Sequence, residues 1–184
     1  MRVVDVEQIA ILVNDWKQGD ALAARKLYDA CNKAAYNSIL RIVGREDLAQ
    51  DLLQETFILA FNRIRDLKSD KTFPAWLKRI AINQALQYYR KHNPIKEEEW
   101  KVEQHEEIEE KEFNSLNQLD ISAWLNIIET LPPKSRLVFQ LFYLEELKHE
   151  DIAMRLKISL STSKSQLRYA KARIKQHLLD NHVH

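Results

Sequence analysis

Two glycines in 184 residues leave this chain few places to turn sharply, and four prolines add little more. A sheet needs a turn every few residues, and turns draw heavily on Gly and Pro. A chain short of both, and rich in Leu, Ala, Glu, Lys and Gln, is set to build helices. The apolar spacing agrees, because it steps by three and four rather than by two. Ile9, Leu12, Val13 and Trp16 share one face of a helix expected over Val6–Gln18. Gly19-Asp20 stops it and caps a second, in which Ala24, Tyr28, Cys31, Ala35 and Ile42 recur up to a natural stop at Gly44. A third helix is expected from Glu46 to Arg65, then the polar loop "DLKSDKT", then a fourth from Phe73-Pro74 to Lys91. Beyond it, Ile121–Leu131, Lys134–Glu146 and the stretch from His149 onwards predict a second set of helices, with Pro132-Pro133 as punctuation. The fold class is therefore all-α.

The formal net charge of +1 hides a strong pattern. Residues 1–92 hold 15 Lys/Arg against 11 Asp/Glu, residues 93–120 hold 3 against 10, and residues 121–184 hold 10 against 6. Two mildly basic lobes flank an acidic strip, so a polyanionic partner is compatible with the near-neutral total. The strip suits an acidic linker or a solvated helix; it also has the charge to imitate nucleic acid against a basic lobe. A single cysteine, Cys31, excludes an internal disulfide and any Cys-based zinc cluster. No apolar run reaches the roughly 18 residues of a membrane span and no signal peptide opens the chain, so no membrane insertion and a cytoplasmic setting are expected.

Three stretches carry chemistry. In "DLAQDLLQETFILAF", Asp47, Asp51, Gln54, Glu55 and Ile58 fall on one helical face, while Leu48, Leu52, Leu59 and Phe61 are left for packing. That face is either plainly solvated or a dock for a basic partner helix, to which carboxylates offer charge-assisted bonds. Acid/base catalysis is discounted, since no nucleophile, metal-ligand set or phosphate loop accompanies the acids. In "FPAWLKRIAINQALQYYRK", Trp76, Arg79, Asn83, Gln87 and Arg90 form a second stripe, with Leu77, Ile80 and Ala81 turned to the core. Arginines meet phosphates, amides read base edges and an aromatic stacks on an unpaired base. The adjoining Lys68–Thr72 loop, with Lys68 and Ser69, offers walls for an extruded base. Trp76 alone is equally well read as core.

The third stretch, "HEDIAMRLKISLSTSKSQLRYAKARIKQHL", has the cadence of a helix-turn-helix. Ile152, Ala153 and Leu156 line a short first helix, and Ser159 is a good cap for the second. Leu167, Ala170, Ile174 and Leu178 line that helix's buried side. Opposite lie Lys164, Ser165, Arg168, Tyr169 and Arg173, while Ser161 and Thr162 add hydroxyls at its N-terminus. A helical hairpin with a basic surface gives the same pattern.

Together and in this order, the three stretches resemble a bacterial RNA polymerase sigma factor of the extracytoplasmic-function group, the two-domain form of the sigma-70 family. The likeness covers roughly residues 18–178. "DLLQETFILAF" is similar to the family's core-polymerase-binding helix, "FPAWLKRIAINQALQYYRK" to its −10 helix, and "LPPKSRLVFQLFYLEELKHEDIAMRLKISLSTSKSQLRYAKARIK" to its −35 domain. The resemblance implies a region 2-like domain over 1–92, a linker over 93–120 and a region 4-like helix-turn-helix domain over 121–184. It implies no enzyme activity, cofactor or metal. It implies as partners core RNA polymerase, through its clamp coiled coil and flap, promoter DNA, and a cognate anti-sigma factor. By this resemblance Asp51, Gln54 and Glu55 grip the clamp, and Phe139, Phe142 and Tyr143 meet the flap. Lys68, Ser69, Trp76, Lys78, Arg79, Asn83 and Arg90 serve the −10 element. Ser161, Thr162, Lys164, Ser165, Arg168, Tyr169 and Arg173 serve the −35 element.

The chain departs from the family pattern near the corner. Lys157 stands where Gly is common, Lys148 where a Ser or Thr cap is common, Ser163 where a buried β-branched residue is common, and Gln166 where a phosphate-reaching cation is common. The Lys157, Ser163 and Gln166 departures keep one alternative open, a sigma-like protein-interaction module without DNA reading; the C-terminal stretch taken alone keeps another, a stand-alone helix-turn-helix regulator, dimeric on a palindrome.

Overall fold

A computed structural model describes residues 5–93, 100, 113 and 121–181, with the backbone alone at 121–123 and 181. Every regular element among the described residues is helical. The chain divides into two compact units, Met1–Asn93 and Pro94–His184. The acidic strip expected as a linker lies outside the described residues except at Asn93, Trp100 and Phe113.

In the first unit, α1 (Val6–Lys17) starts where the Asp5 carboxylate accepts from the Glu7 amide at 3.2 Å. Gly19, at φ 97°, turns the chain, and the Asp20 carboxylate caps α2 (Ala21–Val43) by accepting from the Leu22 amide at 2.8 Å. Gly44 ends α2 in the left-handed conformation at φ 68°. Then come α3 (Glu46–Asn62), two 3₁₀ turns (Ile64–Asp66 and Asp70–Thr72) and α4 (Phe73–His92).

The long α2 is the spine, packed against α1, α3 and α4. Val13, Leu27, Ile39, Phe73, Leu77 and Leu86 fill the core between them. The buried face of α2 runs through Ala23, Leu27, Cys31, Ala35 and Ile39, so the expected Ala24 and Tyr28 sit at its half-buried margin. Burial also pushes the Cys31 thiol up to about 11, which keeps it protonated and inert. On α3 the core positions are Ala49, Leu52, Leu53, Phe57 and Ala60; Leu48, Leu59 and Phe61 are half-buried beside them. The expected end at Arg65 is not reached, because the chain tightens after Asn62 into a 3₁₀ turn that buries Ile64.

In the second unit, α5 (Ile121–Thr130), α6 (Pro133–Tyr143) and α7 (His149–Leu156) surround the long α8 (Leu160–Asn181). Leu131, Val138, Leu141, Ile152, Leu156 and Ile174 make its core. The Arg136 guanidinium donates to the Glu129 and Leu131 carbonyls at 2.5 and 2.8 Å, which satisfies carbonyls left open at the end of α5. Helix α6 stops at Tyr143 rather than at Glu146, which turns the chain at φ 56°. The corner between α7 and α8 closes without glycine: Lys157 itself takes φ 56° and ψ 44°. The Ile158 amide then reaches back to the Ala153 carbonyl at 3.1 Å, the six-to-one bond of a left-handed helix stop. A side chain in that conformation costs about 1–2 kcal/mol, carried here by the packing of Ile158, which is 8% exposed.

Candidate functional site

Three surfaces gather the residues that the sequence singled out. On α3, Asp47, Asp51, Gln54, Glu55 and Ile58 are all exposed, opposite the buried Leu52, Thr56 and Phe57. Asp47 is committed locally. Its carboxylate pairs with Arg45 at 2.5 Å, and that hydrogen bond holds the carboxyl below its ordinary range. Asp51, Gln54, Glu55 and Ile58 make up the rest of that exposed face. Ile58 is 62% exposed, unusual for a β-branched apolar side chain beside two acids. An open groove of about 490 Å³ adjoins it between α2 and α3, lined by Tyr28, Asn32, Tyr36, Gln50, Leu53 and Gln54. The α2 members of this groove were not legible in the sequence, because Tyr28 and Tyr36 share the helical period of the core stripe.

On α4, Arg79, Asn83 and Gln87 are exposed along one line, with Trp76, Lys78 and Arg90 half-buried beside it. Trp76 leans against Phe73 with ring centroids 6.2 Å apart, so it is neither core nor free. The preceding loop is built rather than slack. The Ser69 carbonyl accepts from both the amide and the hydroxyl of Thr72, at 2.9 and 2.7 Å. Helix α1 grips the same loop from the side: Lys17 pairs with Asp70 at 2.5 Å, half-buried, and Lys71 pairs with Glu7. Lys68 and Ser69, just before these braces, are both exposed. Lys17 and Glu7 were missed in the sequence because lone charges 50 or more positions from their partners carry no pattern.

In the second unit, Ser159 caps α8 by accepting from the Thr162 amide at 3.1 Å. Its hydroxyl also meets those of Ser161 and Thr162 at 2.9 and 2.7 Å, and Ser165 donates to the Ser161 carbonyl at 2.9 Å. Lys164 and Arg173 are exposed, and Ser165, Arg168 and Tyr169 are half-buried, on the side away from Leu167, Ala170, Ile174 and Leu178. The first turn of α8 thus gathers hydroxyls and a lysine at a helix N-terminus, a setting suited to phosphate.

Ser163 is buried and its hydroxyl lies 2.9 Å from His149 Nδ1, which recovers a hydrogen bond for the lost apolar contact. His149 in turn stacks on Phe142 at 4.8 Å. Burial, and then the nearby Lys164 with Lys171 and Arg168, push the His149 pKa below its ordinary value, against a weaker opposing pull from Glu150.

Two sequence-based readings change here. Phe139 is 3% exposed and packs on Phe113 and Tyr143, so its ring belongs to the core rather than to an exposed surface. Gln166 is 1% exposed, so its position does not face a phosphate at all. Among the described residues no three His, Cys, Asp or Glu side chains gather as they would around a metal ion, and no helix is long and apolar enough to cross a membrane.

These surfaces fall within two recognised families of sequence. Residues 27–95 match the model of sigma-70 region 2, and residues 121–174 that of sigma-70 region 4. The chain is 30% identical over 156 residues to the ECF RNA polymerase sigma factor SigM of Bacillus subtilis, covering 82% of this chain and 91% of that one. The chain belongs to the extracytoplasmic-function group of the sigma-70 family. The RNA polymerase sigma-H factor of Pseudomonas aeruginosa is also 30% identical, over 179 residues, with 91% of this chain and 92% of that protein covered. Among solved structures, CnrH in complex with the cytosolic domain of CnrY has the same fold, with a TM-score of 0.52 at 21% identity over 96% of this chain and 99% of that one. This sigma factor directs transcription initiation by RNA polymerase.

Proposed function

We propose that this sigma factor divides its work among the three surfaces just described. The α3 face of Asp51, Gln54, Glu55 and Ile58 docks on the polymerase clamp, with acids for a basic helix and Ile58 for an apolar seat. The α4 stripe and the braced loop hold the opened −10 element: Arg79 and Arg90 on phosphates, Asn83 and Gln87 at base edges, Trp76 beside an unstacked base, and Lys68 with Ser69 around an extruded one. Helix α8 reads the −35 element through Lys164, Ser165, Arg168 and Tyr169. Ser161 and Thr162 at its N-terminus and Arg173 further along hold the backbone. Phe142 and Tyr143 offer the flap an apolar contact. The chain catalyses no step itself and acts in the cytoplasm. An anti-sigma partner would act by covering the α3 face or the groove beside it.

The observation that carries this reading is that all four α3 residues stand exposed on one face while their neighbours Leu52, Leu53 and Phe57 build the core. A stand-alone regulator has no use for that face. Purified core polymerase, with and without this chain, on a pool of genomic fragments tests the reading. Discrete starts that appear only with the chain are expected, and an unchanged transcript pattern would defeat it.

A further inference from the structure

His149 opens α7 and belongs to none of the three surfaces described above. Its half-buried ring sits in the second unit, where α6, α7 and α8 pack on one another. On one side it stacks on Phe142 of α6, with ring centres 4.8 Å apart and planes inclined by 30°. On the other, Nδ1 lies 2.9 Å from the hydroxyl of Ser163, a fully buried side chain of α8. Ser163 is followed at once by Lys164, and a turn further along by Arg168. The imidazole is therefore one hydrogen bond away from the residue that carries the first cation of the reading face.

This setting accommodates the ring in either charge state. The neutral ring shares its hydrogen bond with the Ser163 hydroxyl. The protonated ring donates from Nδ1 to the same oxygen, and the hydroxyl proton can then turn to the Ser159 carbonyl four residues back, a bond that serine makes within helices. A cation within about 6 Å of a phenyl face is attracted by its π electrons, and Phe142 offers that face. The Glu150 carboxylate favours the charged ring as well. Burial opposes it most, followed by the cations of α8, namely Lys164, Lys171 and Arg168. Burial is a fixed cost. The cationic field is not, because a phosphate backbone laid against Lys164 and Arg168 neutralises it and adds a negative potential of its own.

We propose that His149 takes up a proton as α8 settles on DNA, so that this sigma factor binds its upstream element more tightly as the pH falls. The inference rests on the assignment of α8 to the −35 element. His149 then acts as a sensor behind the reading face and touches no base itself. Linkage fixes the sign: a group that holds its proton more tightly in the complex than in the free chain draws the equilibrium towards the complex as protons become more abundant. One site moves at most one proton, so its share of the effect is at most about tenfold in affinity per pH unit.

Holoenzyme assembled from core polymerase and the full chain tests this. It is titrated by fluorescence anisotropy into a labelled duplex carrying a mapped upstream element, at about pH 8 and about pH 6 and constant ionic strength. Each protein is compared with itself, as the ratio of its two affinities. The ratio for wild type should exceed that for His149→Gln by at least about threefold. The other five of the six histidines, and the polymerase, are common to both. Equal ratios would overturn the proposal. A second measurement does not depend on the variant's folding: in the wild-type chain with isotope-labelled histidine, the His149 imidazole resonances should titrate at higher pH when saturated with that duplex than without it. A midpoint unmoved or lowered by DNA would also overturn the proposal. A scrambled duplex separates this from the parent reading: if holoenzyme bound it as tightly as the mapped element, the −35 assignment would fall, and this inference with it.

Discussion

Ile58→Ser separates docking from folding. Ile58 is 62% exposed, and fully burying an isoleucine side chain is worth about 1.5–3 kcal/mol, so a partner that covers it gains about 1–2 kcal/mol from that residue. Serine and isoleucine have similar helix propensities, and an exposed substitution changes stability by no more than about 0.5 kcal/mol. The variant should therefore melt with wild type yet bind core polymerase about 5- to 30-fold more weakly. An equilibrium titration of fluorescently labelled sigma factor with core polymerase, beside a circular-dichroism melt, gives both quantities. Leu52→Ser, one helical turn and a half away, is the contrast: Leu52 is 6% exposed, so truncation there costs about 2–5 kcal/mol of stability and weakens binding only by unfolding the first unit. An Ile58→Ser protein that binds within twofold of wild type would refute the placement of the polymerase on this face.

Lys157→Gly should relieve the left-handed corner between α7 and α8 by about 1 kcal/mol and raise the second unit's melting temperature by about 4–8 °C; no rise would mean that the corner is unstrained. Asp70→Asn removes the negative charge from the half-buried pair with Lys17 and should reduce use of promoters with a strong −10 element about 2- to 5-fold without altering −35 binding, measured by transcription and by gel shift on single elements. His149 has a folded pKa below its unfolded value, so the unfolded chain takes up more protons near pH 6 and stability falls as pH falls from about 7 towards 5. Denaturant melts across that range should show the second unit weakening with acid, and His149→Gln should flatten the trend.

Much of the fold was legible because its signals are local. Asp20, Gly44 and Ser159 cap or stop helices as their types demand, and the three polar stripes follow directly from helical spacing. The rest depended on contacts that have no local signature. Gln166 has the polarity of a surface residue, and only the Ser135 hydroxyl and the Trp100 carbonyl make its burial tolerable. Trp100 and Phe113 sit in a run whose acidity reads as solvated, yet two aromatics in such a run were a signal of anchoring that charge alone obscured. Phe139, Phe142 and Tyr143 share a short stretch, and spacing could not say that Phe139 faces inward while its neighbours remain half-buried. The ion pairs from α1 to the Asp70–Thr72 turn join residues 53 and 64 positions apart, beyond any periodic reading.

The central claim is that one chain reads two separate promoter elements with two separate helices. Start sites mapped from a reconstituted transcription reaction, followed by base substitutions in each element, test it most directly. Lys164→Ala with Arg168→Ala should make transcription insensitive to substitutions in the upstream element while the downstream element still matters, and Asn83→Ala should do the reverse. If either variant lost sensitivity to both elements equally, or to neither, the assignment of α4 and α8 to separate elements would be contradicted.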